Sequence, residues 1–243
     1  MYVSAHSQRG SHREENQDTI GIRDWRNLDG ERDGTELEIL NVNLPELFLL
    51  ADGMGGHANG KTASKTVVDA IHQNYLSSPN DFDAATAVWQ AHLSLVTRDD
   101  YSMRPMGTTI VGLLIDQGEA QFFNVGDSNA YRIRGAEIVE MSIEDRHAHA
   151  SGNVITQCLG GGTPRPKVHQ SHTKIEPGDR FVLSSDGVTN NVPKGELLRL
   201  LSNKRQTMAQ DICEKAIELG SDDDISAVCI GGFDGVHLGH QEL

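Results

Sequence analysis

The stretch Leu47-Phe-Leu-Leu-Ala-Asp52-Gly-Met-Gly-Gly56 decides how the rest of the chain is read. An unbroken apolar run bounded by turn formers predicts a strand buried on both faces. That strand runs straight into Asp52, and a carboxylate at the end of a buried strand is costly unless its charge is compensated. Gly53, Gly55 and Gly56 let the backbone turn sharply and approach a bound ion or anion closely. Taken alone, the stretch also reads as a strand end with an ordinary Asp-Gly turn.

The pattern recurs along the chain. Gln121-Phe-Phe-Asn-Val-Gly126 leads into Asp127-Ser128, and Arg180-Phe-Val-Leu-Ser-Ser185 leads into Asp186-Gly187. Asp222-Asp223-Asp224 opens the last apolar run, Ile225–Ile230, and the polar segment Arg13-Glu-Glu-Asn-Gln-Asp18 opens another at Thr19. Carboxylates arriving from separate strands at one end of a sheet repel one another and call for a cation. Oxygen ligands without an accompanying cysteine cluster select hard ions such as Mg²⁺ or Mn²⁺ over Zn²⁺. Arg13 is a candidate phosphate grip, because a guanidinium offers two parallel hydrogen bonds. A surface ion pair with Glu14 or Glu15 is the alternative.

Bulk properties narrow the partners. The 243 residues carry a formal net charge of −14, which argues against nucleic acid or an anionic membrane surface as the main partner. Cys158, Cys213 and Cys229 match no zinc spacing and suit buried, reduced thiols in the cytoplasm. The N-terminus has no signal-like pattern, and no apolar run approaches the roughly 20 residues of a membrane span.

In chain order, Tyr2–Ser7 reads as an edge-like strand, Thr19–Trp25 as a second strand and Glu36–Val42 as another. Asn27–Thr35 reads as an exposed loop. Helices are predicted over Ala58–Leu76, with Ala63, Val67, Ala70, Ile71 and Tyr75 inward, and over Phe82–Thr97. Gly107–Ile115 and Ala120–Val125 form a hairpin around Asp116-Gln-Gly118, and a meander turns at Arg134-Gly135. Ser142–Gln170 reads as irregular, and its His147-x-His149 is a weak metal signal. Helices over Pro193–Leu201 and Thr207–Leu219, a closing strand and a polar tail over 234–243 complete the chain. Antiparallel neighbours and paired helices point to an α+β layered fold within a single domain, 1–243. Neither a G-x-x-x-x-G-K-[ST] nor a G-x-S-x-G motif occurs, which weakens nucleotide-dependent and serine-hydrolase readings.

At this point the residues resemble the metal-dependent protein serine/threonine phosphatases of type 2C, in their bacterial form. Arg13-Glu-Glu-Asn-Gln-Asp18 resembles that family's R-x-x-N-[EQ]-D motif, and Asp52-Gly-Met-Gly-Gly-His57 its D-G-M-G-G-H motif. Gly107-Thr-Thr109, Gly126-Asp-Ser128, Ser185-Asp-Gly187 and Asp223-Asp-Ile-Ser226 match later motifs in the family's order. The resemblance implies a four-layer α-β-β-α sandwich of two antiparallel sheets with helices outside. It also implies two Mn²⁺ or Mg²⁺ ions, with a third, weaker site. Carried over, Asp52 bridges the two ions, Gly53 offers its carbonyl, and Asp186 and Asp223 complete the first ion's shell. Asp127 with Asp186 holds the third ion, Asp18 acts through metal-bound water, and Arg13 binds the substrate phosphate. The implied activity is hydrolysis of phosphoserine and phosphothreonine in proteins by a metal-bridging hydroxide. The enzyme would act as a cytoplasmic monomer opposing a bacterial Ser/Thr kinase.

Several positions depart from the family's pattern. Gln17 stands where some members have Glu, and Asp224 and Asn129 replace a usual Asn and Arg. The Asp222–Asp224 run offers neighbouring candidate ligands, and the alignment of Ile225-Ser226 with the family's I-T pair favours Asp223. Met54 sits where some relatives place a catalytic His, which leaves His57 between a general-acid and a packing role. The segment from Asp145 to Ile155 is shorter than the flap of many bacterial members. A pseudo-phosphatase and a hydrolase of small phosphoesters are the competing readings.

Overall fold

The computed structural model describes residues 1–27, 35–40, 44–54, 58–97, 106–147, 154–202 and 209–233. Gly55, Gly56, His57, His149, most of the 27–35 loop, Val42, the start of the Thr207 helix and the polar tail lie outside the described residues. The elements run β1 (Tyr2–Gln8), β2 (Thr19–Ile22), β3 (Trp25–Arg26), β4 (Thr35–Leu40), β5 (Glu46–Ala51), β6 (Gly53–Met54), α1 (Ala58–Ser77) and α2 (Ala84–Val96). They continue as β7 (Gly107–Thr108), β8 (Ile110–Asp116), β9 (Glu119–Val125), β10 (Asn129–Arg134), β11 (Glu137–Glu140), β12 (Leu159–Gly160), β13 (His169–Lys174) and β14 (Arg180–Ser184). The helices α3 (Asp186–Thr189), α4 (Lys194–Ser202) and α5 (Ala209–Glu218) precede the closing strand β15 (Ile225–Gly231).

Two six-stranded sheets form, ordered β11-β10-β14-β15-β1-β4 and β13-β9-β8-β5-β2-β3, with a short β12-β7-β6 ladder beside them. All the pairings are antiparallel. The run Leu47–Ala51 is apolar throughout because β5 serves two cores at once. Phe48 and Leu50 point between the sheets, against Val3, Leu183, Val228 and Ile230 of the other sheet. Leu47, Leu49 and Ala51 point outward onto Ala63, Val67 and Ile71 of α1 and Val88, Ala91 and Leu95 of α2. The far face of the other sheet packs Val182, Ala227 and Cys229 under Leu197, Ile212 and Ala216 of α4 and α5. The result is the expected order of helices, sheet, sheet, helices.

Local chemistry sets the boundaries. Asp83 caps α2 by accepting from the Thr86 amide at 2.9 Å, satisfying one of the unpaired amides of the first turn. The buried stripe of α1 matches its predicted face, and the helix stops at Ser77 ahead of Pro79.

Four strand and helix assignments change. β1 is an interior strand, paired with both β15 and β4. Thr19–Trp25 is a hairpin, with Arg23 at φ 53 turning β2 into β3. At the end of the stretch read as irregular, Ser142–Gln170, β13 begins at His169 and runs on to Lys174 as an edge strand on β9. Its sequence, HQSHTK, alternates half-buried with exposed polar residues and so carries no apolar signal. A single turn, α3, follows β14 directly, too short for any periodicity.

Phe181 sits edge-on between Phe122 and Phe233, both at 5.5 Å between ring centroids, in the core between the sheets. Phe181→Ala is expected to lower stability by about 3–5 kcal/mol. Urea unfolding should show a lower midpoint with an unchanged slope.

Candidate active site

Strand register brings the candidate carboxylates to one end of each sheet. In one sheet Thr19 pairs with Ala51 and Ile110 with Val125, so Asp18, Asp52 and Asp127 all lie just beyond that edge. In the other, Asn129 pairs with Ser184 and Ser184 with Ala227, which puts Asp186 and Asp223 at the matching edge. Aspartates far apart in sequence therefore meet because each stands where a strand starts or ends.

The backbone around Asp52 is held from three sides. The Asp52 amide donates to Thr109 Oγ1 at 3.0 Å, and its carbonyl accepts from the Thr109 amide at 2.9 Å and Thr108 Oγ1 at 2.8 Å. Thr109 Oγ1 in turn pairs with Ser128 Oγ at 2.7 Å, beside Asp127. The Gly53 amide donates to the Gln17 carbonyl at 3.2 Å, and a Cβ on Gly53 would stand 2.1 Å from the Gly60 carbonyl oxygen. Only glycine permits that approach. The Thr-Thr and Asp-Ser pairs thus lock the peptide of the central aspartate.

Asp18 is held just as firmly. Its amide donates to Asn16 Oδ1 at 3.0 Å, and its carbonyl accepts from Lys61 Nζ at 2.8 Å and Asn27 Nδ2 at 2.9 Å. Asn16 and Asn27 both reach Ser7 Oγ, which pairs with Ser226 Oγ. This network ties the Arg13–Asp18 segment to the two sheets.

The neighbouring carboxylates Asp223 and Asp224 divide their work. Asp224 Oδ1 accepts the Gly10 amide at 2.9 Å and its Oδ2 the Gln17 amide at 2.8 Å, so each oxygen is held to backbone. Asp223 is one-third exposed (33%) and accepts from Arg13, with Nε at 2.7 Å and Nη2 at 2.5 Å. Arg13 therefore pairs with neither Glu14 nor Glu15 through its side chain in these contacts, but stands at the carboxylate cluster.

Repulsion pervades the cluster. Burial, then the charges of Asp18, Asp186, Asp223 and Asp127, push the Asp52 carboxyl well above its ordinary range. Asp18 is pushed up to about 8 by burial and then by Asp224, with the nearby Ser226 and Ser185 opposing. Neither Asp18 oxygen has a partner at hydrogen-bond geometry, and neither does Asp127 Oδ1. Asp186 is pushed up to about 6 by burial, Asp127 and Asp223, against Arg146 and Asn190. Buried carboxylate oxygens left without partners are costly, and an all-oxygen set of this kind fits hard divalent cations.

The set is not a closed cage. Among the described residues, no group of three or more His, Cys, Asp or Glu side chains is arranged to hold a single ion. Cationic side chains hold several of the carboxylates: Arg13 takes Asp223, and Arg146 takes both Asp127 and Asp186. Mg²⁺ ordinarily keeps several waters and needs one or two carboxylates, so a partial set suffices.

The motifs, their order and their meeting at one sheet edge agree with a match along the sequence. The chain belongs to the protein phosphatase 2C family. The family's pattern covers residues 39–218, and the structure adds Arg13, Asp18 and Asp223 from outside that span. Among curated relatives, the serine/threonine protein phosphatase PstP of Mycobacterium tuberculosis is 26% identical over 204 residues, 75% of this chain and 39% of PstP. The chain thus spans about two fifths of that relative's length. The serine/threonine phosphatase stp of Listeria innocua is 24% identical over 257 residues, 95% of both chains. The solved catalytic domain of PstP, in complex with 2 manganese ions, superposes with a TM-score of 0.72 at 24% identity, covering 94% of this chain and 98% of that one. That likeness establishes the fold.

Sequence reasoning missed Arg146 and Asp145, which lie in a stretch without periodicity or a quoted motif. It also gave His92 no particular role, whereas His92 Nδ1 accepts the Gly160 amide at 3.1 Å and its ring stacks on Trp89. His147 is exposed. No helix among the described residues is long and apolar enough to cross a membrane.

The raised carboxyls give a signed pH dependence. With folded values of about 8 for Asp18 and about 6 for Asp186 above an unfolded value of 3.8, the folded state binds the extra protons. Their stabilisation is full below the unfolded value and lost as pH rises through the folded ones. The melting temperature of the EDTA-stripped chain should therefore fall between about pH 4 and pH 8. Mn²⁺ should restore it at the upper end, as any ligand of the folded state does; scanning fluorimetry across that range is the check.

Proposed function

We propose that this chain is a metal-dependent protein serine/threonine phosphatase that hydrolyses phosphoserine and phosphothreonine in proteins. The observation that carries the reading is the buried ring of carboxylates about Asp52, several of its oxygens unpartnered, at a sheet edge of a protein phosphatase 2C fold. Asp52, the Gly53 carbonyl, Asp186 and Asp223 are the residues that would hold a pair of Mn²⁺ or Mg²⁺ ions. The manganese in the PstP catalytic domain supports that choice of metal for this chain. When bound, such a pair makes water nucleophilic near neutral pH and draws charge from the phosphoryl oxygens.

The chain's own residues do the rest. Arg13 is half-exposed on the rim and carries its guanidinium against Asp223. There it can turn its remaining donors to a phosphate and offset charge as the ester bond breaks. Asp18 sits buried behind the cluster, where it can take a hydrogen bond from an ordered water and orient it. Thr109 and Ser128 keep the Asp52 peptide from shifting, which holds the reacting groups in register. A cleft of about 670 Å³ runs beside this loop, with Met54, Gly107, Ile155, Gln157, Cys158 and Pro164 among its walls. It gives a phosphorylated segment of a protein chain somewhere to lie.

Phosphoproteins are the substrate class, and a serine/threonine kinase is the opposing activity. A cytoplasmic setting suits the three cysteines, all buried and free. One catalytic domain acting as a monomer is the simplest organisation for this site.

The test uses the metal-stripped chain with a phosphothreonine peptide and with p-nitrophenyl phosphate. Turnover of the peptide should require added Mn²⁺ or Mg²⁺, and D52N should lower it by at least about a hundredfold, the scale of losing one transition-state contact. Activity that survives EDTA overturns the metal mechanism. Turnover of the small ester alone points to a small-molecule hydrolase, and none of either to a binding protein.

A further inference from the structure

The resemblance puts a third, weaker ion between Asp127 and Asp186. In the structure that position belongs to Arg146. Its Nε donates to Asp127 Oδ2 at 2.8 Å and its Nη2 to Asp186 Oδ2 at 3.0 Å. Its Nη1 donates to Asn190 Oδ1 at 2.8 Å, and Asn190 Nδ2 donates to the same Asp186 Oδ2 at 3.0 Å. The Arg146 side chain is 21% exposed, against 1% for Asp127 and 10% for Asp186.

The guanidinium is held by its three hydrogen bonds, and the backbone that carries it is held as well. The Asp145 amide donates to the Gly126 carbonyl at 3.0 Å, and Asp145 Oδ2 accepts the Gly126 amide at 2.9 Å and Gln157 Nε2 at 2.8 Å. Asp145 Oδ1 lies 2.8 Å from His169 Nε2. Arg146 itself pairs with Ile155 across the base of the short flap, where the His147 amide donates to the Val154 carbonyl at 3.2 Å. Asp145 therefore fastens the flap base to the turn that carries Asp127, and the next residue is aimed across to Asp186.

We propose that Arg146 is a built-in cation standing in for the third metal ion, so that the centre holds two ions and the flap base is tethered to its carboxylates. A planar guanidinium spans two carboxylates with fixed donors, which a lysine ammonium or a solvated ion does less selectively. A divalent ion bridging Asp127 and Asp186, at about 2.0–2.1 Å from an oxygen of each, would stand beside the guanidinium that already bridges them and would face a like charge. Arg146 and a third ion exclude each other. Releasing Arg146 would free Asp127 and Asp186 for an ion and cut the link from the flap base to the centre. Arg146 is thus a positioning residue for the flap and a determinant of metal count. The inference rests on the two-ion reading of the site.

The test counts Mn²⁺ bound by the metal-stripped full chain, using isothermal titration calorimetry and the electron paramagnetic resonance signal of free Mn²⁺. Two ions are expected for the wild-type chain. Arg146→Ala should gain a third, weaker one, Arg146→Lys should stay at two, and D127N in the Arg146→Ala background should return to two. Should Arg146→Ala fail to fold by circular dichroism, Arg146→Gln carries the same expectation of a third ion. Three ions on the wild-type chain, or two on a folded neutral variant at 146, would overturn the inference. A wild-type chain that takes up no Mn²⁺ overturns the two-ion reading itself, so the two failures are told apart.

Discussion

Asp18, Asp127 and Asp186 are buried together at one edge of a two-sheet sandwich, with Asp52 among them and Asp223 on the rim. Their mutual repulsion is the constraint that shapes this end of the molecule. Bringing several carboxylates together in a poorly solvated place raises their pKa values and weakens the metal-free fold. The chain offsets part of that with its own cations: Arg13 on Asp223, Arg146 between Asp127 and Asp186. The two oxygens of Asp18 and one oxygen of Asp127 have no partner at hydrogen-bond geometry. Proteins tolerate such strain where a ligand relieves it and function depends on it.

That strain can be borne because the backbone beneath it is over-determined. Asp52 is fixed through its own peptide by Thr108 and Thr109, the latter paired with Ser128, while Gly53 and Gly60 are in contact at a distance no side chain would allow. The hydroxyl pair Ser7 and Ser226 crosses from one strand of the sheet to the next, and Asn16 and Asn27 hang from it to hold the loop before Asp18. Each small polar residue here answers a specific hydrogen-bonding group, so these loops are tied to the strands they join.

Much of this could be read from the sequence for a definite physical reason. β5 and β8 are buried on both faces, so their apolar runs are unbroken, and α1 and α2 carry a clear helical stripe. The aspartates of the cluster were visible because each breaks an apolar run at its end. What escaped notice lacked either signal. β13 is an edge strand of polar residues, α3 is one turn long, and β1 looks edge-like because Ser4, His6 and Ser7 alternate with its apolar positions. Those polar residues are nevertheless buried, and Ser4 Oγ accepts the Ala209 amide at the start of α5. Arg146 is a lone arginine in an aperiodic stretch, and only the fold reveals that it faces two aspartates from elsewhere.

The division between Asp223 and Asp224 sharpens the point. Adjacent carboxylates are chemically identical in a sequence, so motif spacing alone argues between them by alignment. In the folded chain their surroundings differ: each Asp224 oxygen accepts one amide of the loop between β1 and β2, Oδ1 from Gly10 and Oδ2 from Gln17. Asp223 is partly exposed, and its Oδ1 accepts its neighbour's amide at 2.7 Å and the Arg13 guanidinium on the rim. One residue thus fastens the loop before Asp18 while its neighbour faces the arginine at the rim. Hydrogen bonds from amides favour the charged form of a carboxylate and the charge of an arginine does the same, so adjacent aspartates are each stabilised by a different partner.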